Sequence, residues 1–493
     1  MSSSTLFGQS NANKTAKIIG FIFLAILAVV PYIYSILYAP VSLDGSYYLS
    51  MVERIRDGLI PYRDFTLEYT PVFFYITAFL KNLFSIGINY TFDLSFHFCL
   101  QLFVAFLLYK ISDLIIQRKD YSYYVAIFYL LISYWITQYE FILEIPSMMW
   151  GFWAIYLAIK HKEKTTVFIL VGTIASISFL TKQYGFGFLF LLIYLILFNS
   201  NRWKQLMFFL IGYSIPILLF LIFIPEISTV LFGNGYGIQA VEKSVPDFFI
   251  DVLRRMGEAC FYFVYRVPVL LVALGLFQFI PRNQRKYAGL LLFGIAGFML
   301  QFVFALFNHY ALYIIPFVSL YIFMILNNID KNKIIFRTYL VILLVVFSFA
   351  NFKNYSRALS FNRELRSKQF HLAEKIKQKI EPGKTLYIAD VRLVDLYYLM
   401  NVKPTNMRYT FGLTLTEKIH FKQLHDADYI LTYEIPDSLN FSYLNSKRVV
   451  NLMKKIQDKE VIEKQPTLDK ASNKIINQEV VLYNCRRKYR ISE

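Results

Sequence analysis

Apolar segments about 20 residues long recur along the chain from Ile18 to Ala350, and they constrain its fold more than any other feature of the sequence. A helix of about 20 residues crosses the roughly 30 Å hydrocarbon core of a bilayer. The composition agrees, since 57% of the 493 residues are hydrophobic and only 17% are charged. The chain is therefore predicted to be an integral membrane protein, which excludes a cytosolic enzyme and a receptor with a single anchor.

Twelve apolar segments have the length and composition expected of membrane helices. They cover residues 18–38, 71–86, 93–116, 121–138, 145–160, 165–181, 185–199, 205–225, 259–280, 287–307, 310–327 and 334–350. The sequence thus predicts a mainly α fold, a polytopic membrane helix bundle with about 11 to 13 spans.

The basic residues give the predicted orientation of these helices. The formal net charge is +18, but Lys and Arg lie mostly in short loops and in the C-terminal tail, as topology and lipid headgroups require, so nucleic-acid binding is not indicated. Loops rich in Lys and Arg stay on the cytoplasmic side. By this rule, the outer side of the membrane carries the loops at 39–70, 139–144, 182–184, 226–258 and 308–309, together with the tail after residue 350.

One segment conflicts with a simple alternation of sides. With Lys14 inside and residues 40–70 outside, an odd number of crossings must lead to a cytoplasmic Arg118, yet two apolar segments lie between them. The segment over residues 71–86 is short and is interrupted by Lys81. We expect this segment to be re-entrant or interfacial, although a missed helix elsewhere would also restore the alternation.

The outward loop over residues 39–70 carries charges and aromatic residues that a simple linker does not need. Residues Ser46 to Asp57 have apolar positions at helical spacing, which predicts a short amphipathic helix on the membrane surface. Asp44 lies just before it, and its carboxylate could act as a general base beside Tyr47 and Tyr48, or could simply cap the helix.

A second carboxylate, Glu68, precedes the next apolar segment and could lie with Asp44 at the same opening of the cavity in the helix bundle. One of the two would take a proton while the other orients a substrate hydroxyl or a divalent cation; a solvated loop glutamate is the alternative. Asp57 and Asp64 are poorer candidates, because each lies in turn-like sequence where a self-capping role is sufficient.

After residue 350 the pattern changes to alternating short elements. The sequence predicts strands at "KTLYIAD", "ADYILTYE" and "QEVVLYN" and helices at "VRLVDLYYLM" and "RVVNLMKKI". The predicted domains are therefore a multi-spanning transmembrane catalytic domain over residues 1–350 and a small extracytoplasmic α/β domain over residues 351–493.

These features together resemble a known family. The outward Asp-Gly, "DGLIPYRDF", "EYTPVFFYITAFL" and the late "FNHYALYIIPF" are similar to motifs of the GT-C membrane glycosyltransferases, particularly the bacterial relatives of protein O-mannosyltransferases and of the aminoarabinose transferase of lipid A, which are glycosyltransferase family 39-like. The resemblance implies that Asp44 is the catalytic base and that Glu68 is functional. Gly45 stands where many relatives have a second acidic residue, and Tyr69 where the lipid A enzymes have lysine.

The resemblance also implies a polyprenyl-phosphate-linked sugar as donor, whose departing phosphate needs positive charge. Lys182 is the basic residue best placed by topology, although it could snorkel to the interface instead. His309 could donate to phosphate or acceptor, or could be satisfied by backbone. Three arginines that belong to or flank the long outward loop before the ninth segment offer forked donors for phosphate, namely Arg254, Arg255 and Arg266.

Acceptor contacts are predicted from acidic and aromatic residues on the outward side. Glu140 and Glu144 are candidates to hold acceptor hydroxyls or a cation, and Glu144 is preferred because Pro146 predicts that a helix starts next to it. A structural cap explains Glu144 equally well. Tyr47, Tyr48 and Tyr69 could stack on a sugar or could be interfacial belt residues.

The leading hypothesis is an inverting glycosyltransferase of the cytoplasmic (inner) membrane, multi-pass, with its active site and C-terminal domain on the outer side. Its expected partners are the polyprenyl-phosphate sugar, a lipid, glycan or protein acceptor and membrane lipids, with no nucleic acid. A divalent cation, Mg²⁺ or Mn²⁺, is a possible cofactor. The alternatives are a transporter or flippase of lipid-linked sugars, a polysaccharide polymerase or ligase, and a purely structural membrane scaffold.

Overall fold

The computed structural model describes residues 4–65, 67, 69–137, 140–227, 254, 280–299, 308–328, 365–388, 393, 396–400, 403–404, 427–433, 459–469 and 474–484. Within these ranges the chain is mainly helical and also contains one β-sheet. It divides into two compact units. The helical unit comprises Met1–Ala39, Thr91–Tyr139 and Leu143–Leu359, and the sheet unit comprises Pro40–Tyr90, Glu140–Ile142 and Ser360–Glu493.

The helices are, in chain order, α1 (Ser4–Tyr38), α2 (Leu43–Arg56), α3 (Val72–Leu83), α4 (Tyr90–Ile116), α5 (Lys119–Thr137), α6 (Glu144–Lys160), α7 (Val167–Thr181), α8 (Gly187–Leu197), α9 (Arg202–Phe223), α10 (Arg285–Met299), α11 (Ile315–Asn328), α12 (residues 365–379) and α13 (Leu396–Met400). The strands are β1 (Thr385–Ile388), β2 (Lys403–Pro404), β3 (Tyr429–Tyr433), β4 (Lys459–Asp469) and β5 (Lys474–Asn484). The mainly α class is confirmed.

The apolar segments predicted from the sequence correspond closely to these helices. The segment over 334–350 and all but residue 280 of the segment over 259–280 lie outside the described residues, and each of the others contains a helix. Three helices in the described part of the chain are long and apolar enough to cross a membrane, Ile19–Tyr38, Tyr90–Ile116 and Arg202–Phe223. The number of spans therefore stays a prediction.

Helices α7 and α9 of the helical unit approach each other through two glycines. A Cβ atom on Gly172 would lie 2.1 Å from the carbonyl oxygen of Phe209, and one on Gly212 would lie 2.0 Å from that of Ile169. The hydroxyl of Thr173 also donates to the carbonyl oxygen of Gly212 at 3.2 Å. Small residues let helix backbones pack this closely, as is common in membrane helix bundles.

Replacing Gly212 by Ala is therefore expected to lower the thermal midpoint of the purified protein. The new methyl group would clash with backbone atoms, which cannot move aside by changing rotamer as a side chain can. Overpacking of this kind costs about 1–3 kcal/mol. The matched control is Gly297→Ala in α10, where a Cβ meets nothing within 4 Å and alanine favours the helix. Equal midpoints for the two variants would contradict the close approach.

The sheet unit contains a mixed sheet with the order β2-β1-β3-β5-β4. Strand β1 is parallel to β2 and β3, whereas β5 is antiparallel to both β3 and β4. The buried hydroxyl of Tyr397 joins α13 to β1, because it donates to the carbonyl oxygen of Leu386 at 3.0 Å and accepts from the backbone N–H of Ile388 at 2.9 Å.

Three strands were predicted and are present as β1, β3 and β5, and the helix predicted over residues 391–400 is present as α13. Strands β2 and β4 were not predicted. The helix predicted over residues 448–456 lies outside the described residues. The domain boundary at residue 350 stays a prediction, and the sheet unit also includes the first outward loop.

Helix α3 occupies the segment that conflicted with the predicted alternation of sides. It has 12 residues, so at about 1.5 Å per residue it is much shorter than the roughly 30 Å of a hydrocarbon core. Phe79 and Leu83 are exposed, while Lys81 is fully buried. This helix alone is too short to cross a bilayer, and its re-entrant or interfacial placement stays a prediction.

Candidate functional site

Asp44 lies in the first turn of α2, in the sheet unit. The helix begins at Leu43, earlier than the Ser46 predicted from periodicity, and its N-cap is Ser42, whose hydroxyl accepts a hydrogen bond from the backbone N–H of Gly45 at 3.0 Å. The alternative that Asp44 serves as the cap is therefore wrong. Asp44 is half-buried, so its carboxylate is partly shielded from solvent without being enclosed.

Gly45 follows Asp44 because there is little space for a side chain at this position. A Cβ atom on Gly45 would lie 2.8 Å from the capping hydroxyl of Ser42 and 3.4 Å from the Cβ of Phe141. A second acidic residue at position 45 would therefore disturb the cap that starts α2. The glycine at position 45 thus has a local structural reason.

The aromatic residues predicted to contact a sugar form a cluster next to Asp44. Tyr47 and Tyr48 are buried and Tyr69 is half-buried; their ring centroids are 5.7 Å apart for Tyr47 and Tyr48 and 5.3 Å apart for Tyr48 and Tyr69. The hydroxyl of Tyr62 donates to the carbonyl oxygen of Tyr69 at 2.5 Å, and burial raises the pKa of Tyr62 well above its usual value. Of the three candidates, Tyr69 has the most accessible surface.

Asp64 and Asp57, the poorer candidates of this loop, both lie in turns. Asp64 accepts a hydrogen bond from the backbone N–H of Ile60 at 2.8 Å and forms an ion pair with Arg63 at 2.9 Å; the Arg63 hydrogen bond lowers the pKa of Asp64. Asp57 is exposed and ends α2 as its C-cap, and partial desolvation together with the nearby carboxylate of Glu53 raises its pKa. Glu68 lies outside the described residues.

A buried ion pair in the sheet unit was not predicted. Glu53 of α2 lies 2.7 Å from the ammonium group of Lys81 on α3, and Lys81 donates to the hydroxyl of Tyr398 on α13 at 3.3 Å. Lys81 has no exposed surface. A lysine inside an apolar segment needs an anionic partner, which is the signal that could have indicated this pair. The pair ties α2, α3 and α13 together.

In the helical unit the structure brings two of the predicted residues together. Glu144 lies in the first turn of α6 and Lys182 follows the end of α7; both are fully buried and form an ion pair. The N-cap of α6 is Leu143. A snorkelling lysine would expose its ammonium group, so that alternative for Lys182 is wrong.

Aromatic rings surround the ammonium group of this pair. Lys182 Nζ lies 5.1 Å from the ring centroid of Tyr310 and 5.6 Å from that of Tyr184, and the two rings meet edge to face with centroids 4.6 Å apart. Ring faces attract a cation, most strongly where water is excluded. Lys182 is therefore contacted by a carboxylate and two aromatic rings.

Serine hydrogen bonds and a glycine fix the two chain segments that carry this ion pair. Ser147 Oγ donates to the carbonyl oxygen of Ser178 at 3.1 Å, and Ser178 Oγ donates to that of Ser147 at 2.7 Å, which joins the start of α6 to the end of α7. A Cβ on Gly185 would lie 2.4 Å from the carbonyl oxygen of Ser178, so the chain can turn back after Lys182 only with glycine there.

The remaining candidates are His309, Glu140 and the three arginines. His309 lies in a 3₁₀ helix, Asn308–Tyr313, and its side chain is outside the described part. Arg254 is exposed and Glu140 is half-exposed, whereas Arg255 and Arg266 lie outside the described residues. Among the described residues no group of three His, Cys, Asp or Glu side chains could hold a metal ion.

Comparison with solved structures identifies the fold. The crystal structure of ArnT from Cupriavidus metallidurans in the apo state, a GT-C aminoarabinose transferase, matches with a TM-score of 0.56 and 14% sequence identity, over 95% of this chain and 98% of that chain. The structure of ArnT bound to undecaprenyl phosphate matches with a TM-score of 0.51 over the same shares, also at 14% identity.

The comparisons with sequences add nothing to this, because neither a family model nor a curated protein matches the chain. At 14% identity the likeness to ArnT shows the fold alone. That fold is the one that the sequence motifs predicted.

Proposed function

Since the chain has the fold of the GT-C membrane glycosyltransferases, we propose that it transfers a sugar from a polyprenyl-phosphate donor to an acceptor hydroxyl. The observation that carries this proposal is the likeness over 95% of the chain to ArnT, which has been crystallised with undecaprenyl phosphate. A fold supports many activities, so the residues must supply the chemistry.

In the proposed reaction Asp44 is the general base. Its carboxylate accepts the proton of the acceptor hydroxyl while the acceptor oxygen forms a bond to the anomeric carbon. The bond from that carbon to the phosphate oxygen breaks, and the polyprenyl phosphate leaves with the electron pair, which inverts the anomeric configuration. Asp44 is suited to this role because it is half-buried and Ser42 already provides the cap of α2.

Glu68 is proposed to orient the acceptor hydroxyl, and Tyr69 to contact a sugar with its accessible surface. Tyr47 and Tyr48 are proposed to support the ring of Tyr69 by packing, since both are buried and their rings contact each other. Mg²⁺ or Mn²⁺ remains a candidate partner of these carboxylates, and chelation with EDTA in the transfer assay tests it.

Lys182 is proposed to neutralise the charge that develops on the departing phosphate, with His309 and Arg255 as further donors. Its ammonium group is already desolvated and fixed by Glu144, Tyr184 and Tyr310. A preorganised cation in a site that excludes water stabilises a developing anion more strongly than a hydrated one does. Glu144 is proposed to hold Lys182 until the phosphate takes its place.

The proposed localisation is the inner membrane, with about 11 to 13 spans and with the first loop and the C-terminal segment on the outer side, as the positive-inside rule requires. On this proposal α3 lies at the interface and does not cross. Labelling of single cysteines at exposed loop positions from either side of sealed vesicles tests the orientation.

The transferase proposal is tested by incubating the protein in liposomes with a panel of radiolabelled polyprenyl-phosphate sugars and with envelope lipid, glycan and protein acceptors. We expect transfer from one donor, with release of polyprenyl phosphate in equal amount. Movement of the lipid-linked sugar across the bilayer without any transfer would instead support a flippase and would overturn the proposal.

A further inference from the structure

Residues 40–42 lead into α2, and each of them is held by a separate partner within the sheet unit. The hydroxyl of Tyr90 donates to the carbonyl oxygen of Pro40 at 3.3 Å, and Ser42 caps α2. Val41 lies between them. Its backbone N–H donates to Gln369 Oε1 at 3.0 Å, and Gln369 Nε2 donates to its carbonyl oxygen at 3.1 Å.

The side chain of Gln369 therefore takes the place of a neighbouring strand. A glutamine amide carries one acceptor and an NH₂ donor group, so it can pair with both polar groups of one residue as a peptide group in a β-ladder does. Val41 and Gln369 are 2% and 9% exposed, so water has little access to either hydrogen bond. Loss of the amide would leave a buried N–H and a buried carbonyl of Val41 without these partners.

We propose that Gln369 is a positioning residue for Asp44. Asp44 follows Val41 by three residues, and Ser42 connects the held segment directly to the first turn of α2. A general base must lie within about 2.6–3.2 Å of the oxygen whose proton it takes. The inference rests on the proposed function, in which Asp44 is that base.

A second contact holds the same loop from the segment after residue 360. Arg366, one turn before Gln369 on α12, lies over the ring of Tyr90 with its guanidinium carbon 5.6 Å from the ring centroid. Tyr90 is the residue that donates to Pro40. Helix α12 thus supports both Pro40 and Val41, which gives the C-terminal segment a part in the reaction.

The test compares kcat and KM of Gln369→Leu with those of the wild type. A misplacement of about 1 Å can cost roughly 10²-fold in rate, so we expect kcat to fall by about 10- to 100-fold while KM changes little. Gln369→Glu keeps an acceptor for the N–H of Val41 but loses the NH₂ donor and sets a carboxylate oxygen against the carbonyl oxygen of Val41, so its kcat should fall at least as far. The matched control is Gln378→Leu, at an exposed glutamine of the same helix, with unchanged kcat.

A double-mutant cycle separates positioning from a general loss of stability. If Gln369 acts through Asp44, Gln369→Leu should have almost no further effect on the residual kcat of Asp44→Asn. The same fold-loss in both backgrounds would overturn the proposal.

Hydrogen exchange tests the contact between Gln369 and Val41 without any enzyme assay. Its result therefore stands even where no donor is turned over and the transferase proposal fails. Exchange of the amides over residues 41–48 should be faster in Gln369→Leu and unchanged in Gln378→Leu. Unchanged exchange in Gln369→Leu would overturn the positioning role.

Discussion

Replacement of Asp44 by Asn is expected to lower kcat by about 10²- to 10⁴-fold, which is the usual contribution of a general base. The substitution keeps the shape of the side chain but removes the carboxylate that accepts the proton. Binding of the donor should change little, because the proposed phosphate ligands lie elsewhere in the sequence. The measurement is the initial rate of sugar transfer at saturating donor and acceptor.

The matched control is Asp57→Asn at the other end of the same helix. Asp57 is the C-cap of α2 and is exposed, so its loss should leave kcat close to that of the wild type. Because Ser42 is the N-cap, Asp44→Asn should also unfold at nearly the wild-type temperature. A large drop in the thermal midpoint would mean that Asp44 supports the helix, and the loss of kcat would then not identify it as the base.

The positions of the helices could be predicted because bilayer thickness and the hydrophobic effect act on contiguous residues. The apolar segments over 145–160 and 165–181, for example, correspond to Glu144–Lys160 and Val167–Thr181. Strand β4 escaped prediction because its sequence "KEVIEKQPTLD" is polar and lacks clear alternation. Its pairing with β5 at the edge of the sheet stabilises it instead.

Candidate site residues could be predicted by residue type and topology, but their partners could not. Asp44, Glu144 and Lys182 stood out as charged groups at the ends of apolar segments. The pairing of Glu144 with Lys182 depends on how the start of α6 packs against the end of α7, 38 residues later. The contact of Val41 with Gln369 spans 328 residues and involves an ordinary glutamine, so no local pattern indicates it.

The second large effect is expected at Lys182. Lys182→Met leaves Glu144 buried without this partner, and breaking a buried ion pair from one side costs about 3–5 kcal/mol. Stability and transfer should therefore fall together in this variant, so its activity alone does not identify a role in catalysis. Lys160→Met, at an exposed lysine that ends α6, is the control and should behave as the wild type.

The double variant Glu144→Gln, Lys182→Met separates the two effects. Removing both charges of a buried pair is often neutral or stabilising by about 1–4 kcal/mol, so the thermal midpoint should return to the wild-type value or exceed it. Transfer should nevertheless stay about 10²- to 10³-fold below wild type, because the cation that meets the departing phosphate is missing. Recovery of transfer together with stability would show that the pair is purely structural. A stable but inactive double variant would assign the pair of Glu144 and Lys182 to the reaction, since its remaining defect could not come from the fold.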